Sequence, residues 1–413
     1  MQAIKQLFRI GYGPSSSHTI APYRIVSLYK ENVKDCTSYK ITLGGSLALT
    51  AKGHGTISII ENVLNCKDIT FNCDIDIKEN VLDITGYIND IEQVTWHGLS
   101  LGGGAISIKE FDCGDEIEVY KENSFNEIKQ YINDKNITLL DYVYAHEPDL
   151  KDHLKKCLQV MFDTVNNGLN KEGLLNADLN YYRVAKKLYS KCEKKNDYLV
   201  AYSYATCEEN AAGGLMCTAP TLGACGILTS LMYYLRFNKE ESLDHLCDML
   251  AIAGVFGNCI KRNASIAGST GGCQAEVGTA CSMAAACIAY HYGFELNTIE
   301  YAAEMGIEHF LGLTCDPVMG YVIIPCIERN ALYALKAKDA YLLAKLIYSE
   351  ARGEIYTGQV AVGAVTSSII SCETDAAKLM AAMSQSSDIE VYIACKDEEE
   401  VYKVSNYLAN YND

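Results

Sequence analysis

A chain of 413 residues is long enough for two or three domains and a sizeable core. Its 49% hydrophobic and 21% charged content is that of a water-soluble globular protein, and a formal charge of −17 repels phosphate backbones and anionic lipid, which argues against nucleic-acid and membrane partners. Eighteen cysteines behind a start, "MQAIKQLFRIGYGPSSSHT", that lacks the apolar run of a secretory signal point to a cytoplasmic protein with reduced thiols.

The first distinctive text is "GPSSSHTIAPYR", a turn followed by three hydroxyls and His18. Ser15, Ser16 or Ser17 is placed to cap a helix starting near Thr19, and such a start offers N–H groups and hydroxyls to a small carboxylate. Residues 38–120 are β-branched and alternating ("YKITLGGSL", "GTISII", "DITFNCDIDI", "EIEVY") and read as strands. Within them "LGGSLALTAKGHGT" sets His54 between Gly53 and Gly55, poorly shielded for packing and well placed to meet a ligand; an exposed turn histidine is the alternative. A charged, tyrosine-bearing connector spans about 120–150, and helical text follows. The expected architecture is an α+β domain over residues 1–150, then an all-α domain over 151–413.

In the second region "GLMCTAPTLGACGILTSLMYYL" is interrupted by Pro220, threonines and glycines, so it reads as a buried small-residue helix and not a membrane span. Cys36, Cys66, Cys73, Cys113, Cys157, Cys192, Cys207, Cys247 and Cys259 lie in ordinary text, where free cysteine is a small buried hydrophobe. Three cysteines differ. Cys273 follows the glycine turn "GSTGG" at the head of a helix, where the helix dipole favours a thiolate. Cys315 and Cys326 bracket "CDPVMGYVIIPC", whose prolines and glycine force a loop. On the residues alone a metal site, a zinc staple among the choices, and a chance placement all stay open, because no C-x-x-C pair is present.

Together and in this order, "GPSSSHT", "SLALTAKGHGT", "SLGGGAI", "TAPTLGACGI", "NASIAGSTGGCQAEVG" and "EHFLGLTCDPVMGYVIIPCIERNA" resemble the bacterial iron-sulfur-dependent L-serine dehydratases. The resemblance implies deamination of L-serine to pyruvate and ammonia on a 4Fe-4S cluster held by Cys273, Cys315 and Cys326, without pyridoxal phosphate. It implies His54 as the base, with His18, Ser15, Ser16, Ser17 and Thr19 orienting substrate, and a homodimer. Glu276, Asp316, Glu328, Arg329 and Asn330 would surround the ligating cysteines. Family tails end in a cysteine that reaches the fourth iron; here Cys395 is the candidate, with Cys372 or water as alternatives. Leu222 and Phe310 stand where the family has asparagine, and "AGSTGGCQ" replaces "SGAEVGCQ" before Cys273. Those changes leave open L-threonine or L-cysteine as substrate, and a non-catalytic cluster-bearing sensor or subunit.

Overall fold

The computed structural model describes residues 1–114 and 118–351. Residues Met1–Leu342 form one compact unit, and a second begins at Leu343. The first unit opens with strand β1 (Ile10–Tyr12), a helical turn (Ser16–Ile20) and α1 (Ala21–Asn32), which has proline in its first turn. Then come β2 (Ser38–Gly44), α2 (Gly45–Leu49), α3 (Thr56–Leu64), β3 (Ile69–Asp74), β4 (Val81–Ile88), β5 (Ile91–Gly102) and β6 (Ala105–Ile108).

β2 to β6 form one sheet in the order β3-β2-β4-β5-β6, with β2 and β3 parallel and the other pairs antiparallel. Alternation puts Tyr39, Ile41 and Leu43 of β2 on the buried face, where they meet Ile25, Val26 and Tyr29 of α1 and Ile60 and Leu64 of α3. A parallel pair needs a crossover, and α2 with α3 supplies it. The text "GTISII", expected as strand, is therefore helical: Thr56, Ile60 and Leu64 are buried at four-residue intervals. His54 lies in the break between these two helices, beyond the C-terminal end of β2. Ligands commonly bind at that end of a parallel strand.

The expected connector is also helical. α4 (Phe125–Lys135) is capped by the Ser124 side chain and α5 (Leu139–His146) by a Thr138–Asp141 capping box. The chain continues through α6 (Leu150–Asn170), β7 (Leu174–Asn176), β8 (Tyr181–Tyr182), α7 (Ala185–Tyr189), α8 (Lys195–Ala211) and β9 (Leu215–Cys217). The last described elements are α9 (Cys225–Asn238), α10 (Leu243–Asn263), α11 (Gly268–His291), α12 (Leu296–Glu308) and α13 (Cys326–Ala351). The stretch read as one small-residue helix is thus β9, a loop around Pro220, and α9. A mixed sheet followed by a mostly helical region agrees with the expected α+β-then-helical class, the short strands β7, β8 and β9 being the departure from an all-α second region.

β1 pairs antiparallel with β9, Ile10 opposite Cys217, so the segment leading to His18 is tied into the helical region. Among the described residues α10 alone is long and apolar enough to cross a membrane, but 67% of its apolar window is buried by neighbouring elements, as in a core helix. Of the cysteines expected in the core, Cys157, Cys207 and Cys247 are buried and Cys36, Cys66, Cys113, Cys192 and Cys259 partly so. Cys73 is exposed instead, because β3 is an edge strand.

Candidate active site

His18 sits in the helical turn Ser16–Ile20 and is buried. The serines do not cap a helix there: neither Ser15 at the turn nor Ile20 before α1 makes a side-chain cap. Two of them hold the histidine instead, with the Ser17 and Ser15 hydroxyls 2.8 and 3.1 Å from His18 Nδ1. The Thr19 hydroxyl lies 2.6 Å from the Tyr12 carbonyl and 2.5 Å from that of Ser15, so it locks the loop. Thr56 at the start of α3 donates to the His18 carbonyl at 2.9 Å, and Ser100 of β5 donates to that of Ser17 at 2.9 Å. Ser16 is buried in the turn.

These bonds bring the His18 and His54 rings to 4.4 Å between centroids. His18 Nε2 and His54 Nδ1 are buried and have no hydrogen-bond partner among the described residues. Orphaned buried nitrogens are costly unless a ligand completes them. Burial, with His54 adding to it and the Ser46 backbone near the ring opposing it, lowers the pKa of His18 to about 3, and burial lowers that of His54 to about 4. Both imidazoles are neutral near pH 7 and available as proton acceptors.

Because both folded pKa values lie below the unfolded 6.5, the unfolded chain takes up protons first. The associated stability is complete above about pH 6.5 and is lost as pH falls toward about 4 for His54 and about 3 for His18. Between pH 7 and 5 the unfolding free energy from urea titration should therefore drop, by up to about 1.4 kcal/mol per pH unit for each histidine. A His18→Asn, His54→Asn double variant should show a flatter profile. Parallel profiles for the two proteins would contradict the burial argument.

The three singled-out cysteines also converge. α11 breaks at Gly272 (φ 71°, ψ −167°), so Cys273 begins its straight portion. A side chain on Gly272 would place Cβ 3.0 Å from the Leu313 carbonyl oxygen and 3.2 Å from the Cys315 nitrogen. The Gln274 N–H donates to the same carbonyl at 3.0 Å. That close approach sets Cys273 beside the loop carrying Cys315, and Cys326 opens α13. Arg329, one turn into α13, gathers all three segments: its Nη1 lies 3.1 Å from Cys273 Sγ, 3.1 Å from the Thr314 carbonyl and 2.8 Å from Asp316 Oδ1. Gly272→Ala should lower stability by about 1–3 kcal/mol through the positive φ and the tight contact, and reduce iron content with every thiol intact. Iron content and urea midpoint equal to wild type would refute this packing.

The helix dipole does not win at Cys273. Burial and the nearby Glu276 raise its pKa, with Arg329 opposing them. Desolvation, then Glu276, Cys273 and Asp316, push Cys315 up to about 11, although its surface is the most open of the three. Burial, Glu276 and both other thiols raise Cys326 as well. Left to themselves these thiols stay protonated; a bound cation would offset the desolvation and the mutual repulsion and let all three act as thiolate donors. The residues fit a metal group bound through three thiolates.

The two halves touch. A Cβ on Gly53, beside His54, would lie 3.1 Å from the Gly320 carbonyl oxygen in the loop between Cys315 and Cys326. Gly102 of the "LGGG" turn packs on Ala267, just before α11, where an added Cβ would lie 2.9 Å from the alanine Cβ. A cleft of about 630 Å³, bordered by Tyr12, Pro14, Lys52, Gly53, Gly55 and Tyr321, opens beside the histidine loops.

Other polar groups beside the cysteines are structural ties. Glu276 accepts from the Thr221 hydroxyl and fills the space over Gly223. Asn330 Nδ2 donates to the Gly223 and Cys326 carbonyls at 2.7 and 2.9 Å. Sequence reasoning missed Asn210, which donates to the Pro14 and Leu222 carbonyls at 2.8 and 3.2 Å and so joins the "GPSSSHT" and "TAPTLG" loops. Its signal was available: Glu208, Glu209 and Asn210 are consecutive polar residues in a helix otherwise full of small and aromatic side chains, and all three are buried. Leu222 is buried with Ile20, Met216 and Cys225, and the Phe310 ring lies 4.0 Å from that of Tyr333. Both therefore pack in the interior, which removes the reason to infer a changed substrate from them. Cys395 and Cys372 lie outside the described residues.

A family profile described as serine dehydratase alpha chain matches residues 56–386, and one described as serine dehydratase beta chain matches residues 3–92. L-serine dehydratase 2 of Escherichia coli K12 is 34% identical, the match covering 85% of this chain and 92% of the relative. L-serine dehydratases of Helicobacter pylori 26695 and Streptomyces coelicolor are 33% and 32% identical, each match covering 83% of this chain and 90% of theirs. The two histidines and three cysteines fall within the matched spans. The chain belongs to the iron-sulfur L-serine dehydratase family, lyases that convert L-serine to pyruvate and ammonia, and carries the beta and alpha regions in one polypeptide.

Proposed function

We propose that this chain is an L-serine ammonia-lyase whose 4Fe-4S cluster is held by Cys273, Cys315 and Cys326 and whose proton-transferring base is His54. The observation that carries the reading is the contact of Gly53, next to His54, with Gly320, between two of the three cysteines. When bound, the cluster would supply Lewis acidity toward the hydroxyl and carboxylate of serine.

The chain's own groups account for the rest. Lys52, exposed at the cleft border, offers a cation to an entering carboxylate. His18, fixed through Nδ1 by Ser15 and Ser17, keeps Nε2 free to hydrogen-bond substrate, and Thr19 and Ser16 hold that turn in shape. His54 is neutral and takes the α-proton; negative charge brought by substrate raises its pKa from about 4 toward the range where a base works best. With the Cα–H pair forming the Cα=Cβ bond, the β-hydroxyl leaves and is released, with one proton, as water; the resulting aminoacrylate tautomerises and hydrolyses in water to pyruvate and ammonia.

Residues 1–150 carry the histidines and 151–413 the thiols, so each part alone is inactive in this reading. A cytoplasmic location follows from the abundance of free thiols, and a homodimer and the ligation of a fourth iron by Cys395 follow from the family resemblance. The test is ammonia release by anaerobically purified protein from L-serine, L-threonine, L-cysteine and their D-isomers. L-serine should be the best substrate; a clear preference for another amino acid would overturn the assignment.

A further inference from the structure

We propose that Glu241, His245 and His291 form a second, mononuclear site for zinc or a neighbouring first-row divalent cation, clamping the start of α10 to the end of α11. One donor atom of each residue lies within 4.8 Å of the donors of the other two. His245 Nε2 is 3.0 Å from His291 Nδ1, and Glu241 Oε1 is 4.0 Å from His291 Nε2. Donors bound at about 2.0–2.2 Å around a tetrahedral ion stand roughly 3.3–3.6 Å apart, so the His245–His291 pair is within a few tenths of an ångström of the required spacing, and the Glu241 carboxylate, within 4.8 Å of both donors, closes on the ion by a side-chain rotation. Two imidazoles and a carboxylate suit zinc or iron(II), with water completing the shell.

The three residues are held from outside the cluster. His245 lies in the first turn of α10, its N–H donating to the Ser242 hydroxyl at 3.1 Å, and its ring stacks on Tyr290 with centroids 5.8 Å apart. His291 ends α11 with its ring edge-on to Tyr292. The backbone of Glu241 is pinned by Arg236, whose Nη1 donates to its carbonyl at 2.8 Å. One hydrogen now shared between two imidazole nitrogens is what the metal would replace. Lys195, held over the Tyr234 ring at 5.3 Å from the centroid, is near enough to act on His291 and opposes a dication, while Glu241 favours one. Along α11 the site is about 27 Å from Cys273, given 1.5 Å rise per residue, so it is separate from the thiol cluster while sharing its helix.

The probe is cobalt(II), added anaerobically to the full-length, cluster-loaded protein. Thiolate-bound cobalt shows intense charge-transfer absorption that imidazole–carboxylate cobalt lacks, so the cysteines do not confuse the reading. Wild type should bind one equivalent with ligand-field bands alone, and its Tm should rise by about 2–5 °C. His245→Ala and His291→Ala should lose that equivalent and the Tm response while keeping ammonia release. Glu241→Gln should weaken binding at least tenfold. His245→Gln, which retains a hydrogen-bonding group, serves if an alanine variant is misfolded by circular dichroism. Unchanged cobalt stoichiometry in the folded variants, or no binding by wild type at millimolar cobalt, would overturn the site and leave the proposed lyase reading untouched.

Discussion

Cys273→Ala, Cys315→Ala and Cys326→Ala should each abolish the brown colour, the iron and sulfide content and ammonia release together. Three thiols are gathered by separate elements, the break in α11, the loop after α12 and the first residue of α13, and Arg329 ties them. Removing one leaves two thiolates facing each other and Glu276 with a donor short, a loss that packing cannot replace. Cys281→Ala is the matched control. Its side chain is buried in the same helix, so the variant should lose stability by about 1–3 kcal/mol yet retain the cluster. A full iron-sulfur spectrum in all three ligand variants would refute the assignment.

For His54→Ala the expectation is a fall in kcat of about a hundredfold to ten-thousandfold, with iron content unchanged, the usual range for a lost general base. Its Nδ1 is buried and unpartnered, so no structural bond through that atom is lost with the ring. His18→Ala should behave differently. Since Ser15 and Ser17 fix its ring, it positions substrate, and the variant should raise KM as well as lower kcat. Exchange of solvent deuterium into the α-position of recovered serine, present in wild type and absent in His54→Ala, reports the proton step. Wild-type kcat in His54→Ala would move the base elsewhere, the serine hydroxyls beside His18 being the next candidates.

The sheet region and helical region were legible in the sequence because alternation and helical period are local. The crossover helix Thr56–Leu64 was not, since its isoleucine-rich text has high strand propensity and only the parallel β2–β3 pairing demands a helix there. The loop between Cys315 and Cys326 could be read from Pro317, Gly320 and Pro325, which rule out a continuous helix there and leave only a 3-10 turn at Val318–Gly320. The electrostatics could not. A helix start at Cys273 promised a depressed pKa, and burial with Glu276, one turn along, reverses it. Likewise the serines read as helix caps are recruited by a histidine next to them in the chain, and Asn210 reaches Pro14 only through the tertiary fold.

The central claim is that iron, held by these thiols, is required for turnover of L-serine. The direct measurement is pyruvate formation from L-serine by anaerobically purified protein as iron is removed stepwise with a chelator, then restored with ferrous iron, sulfide and reductant, with no pyridoxal phosphate present. Activity should fall in proportion to cluster content, decay in air, and return on reconstitution. Full turnover by iron-free protein would contradict the account.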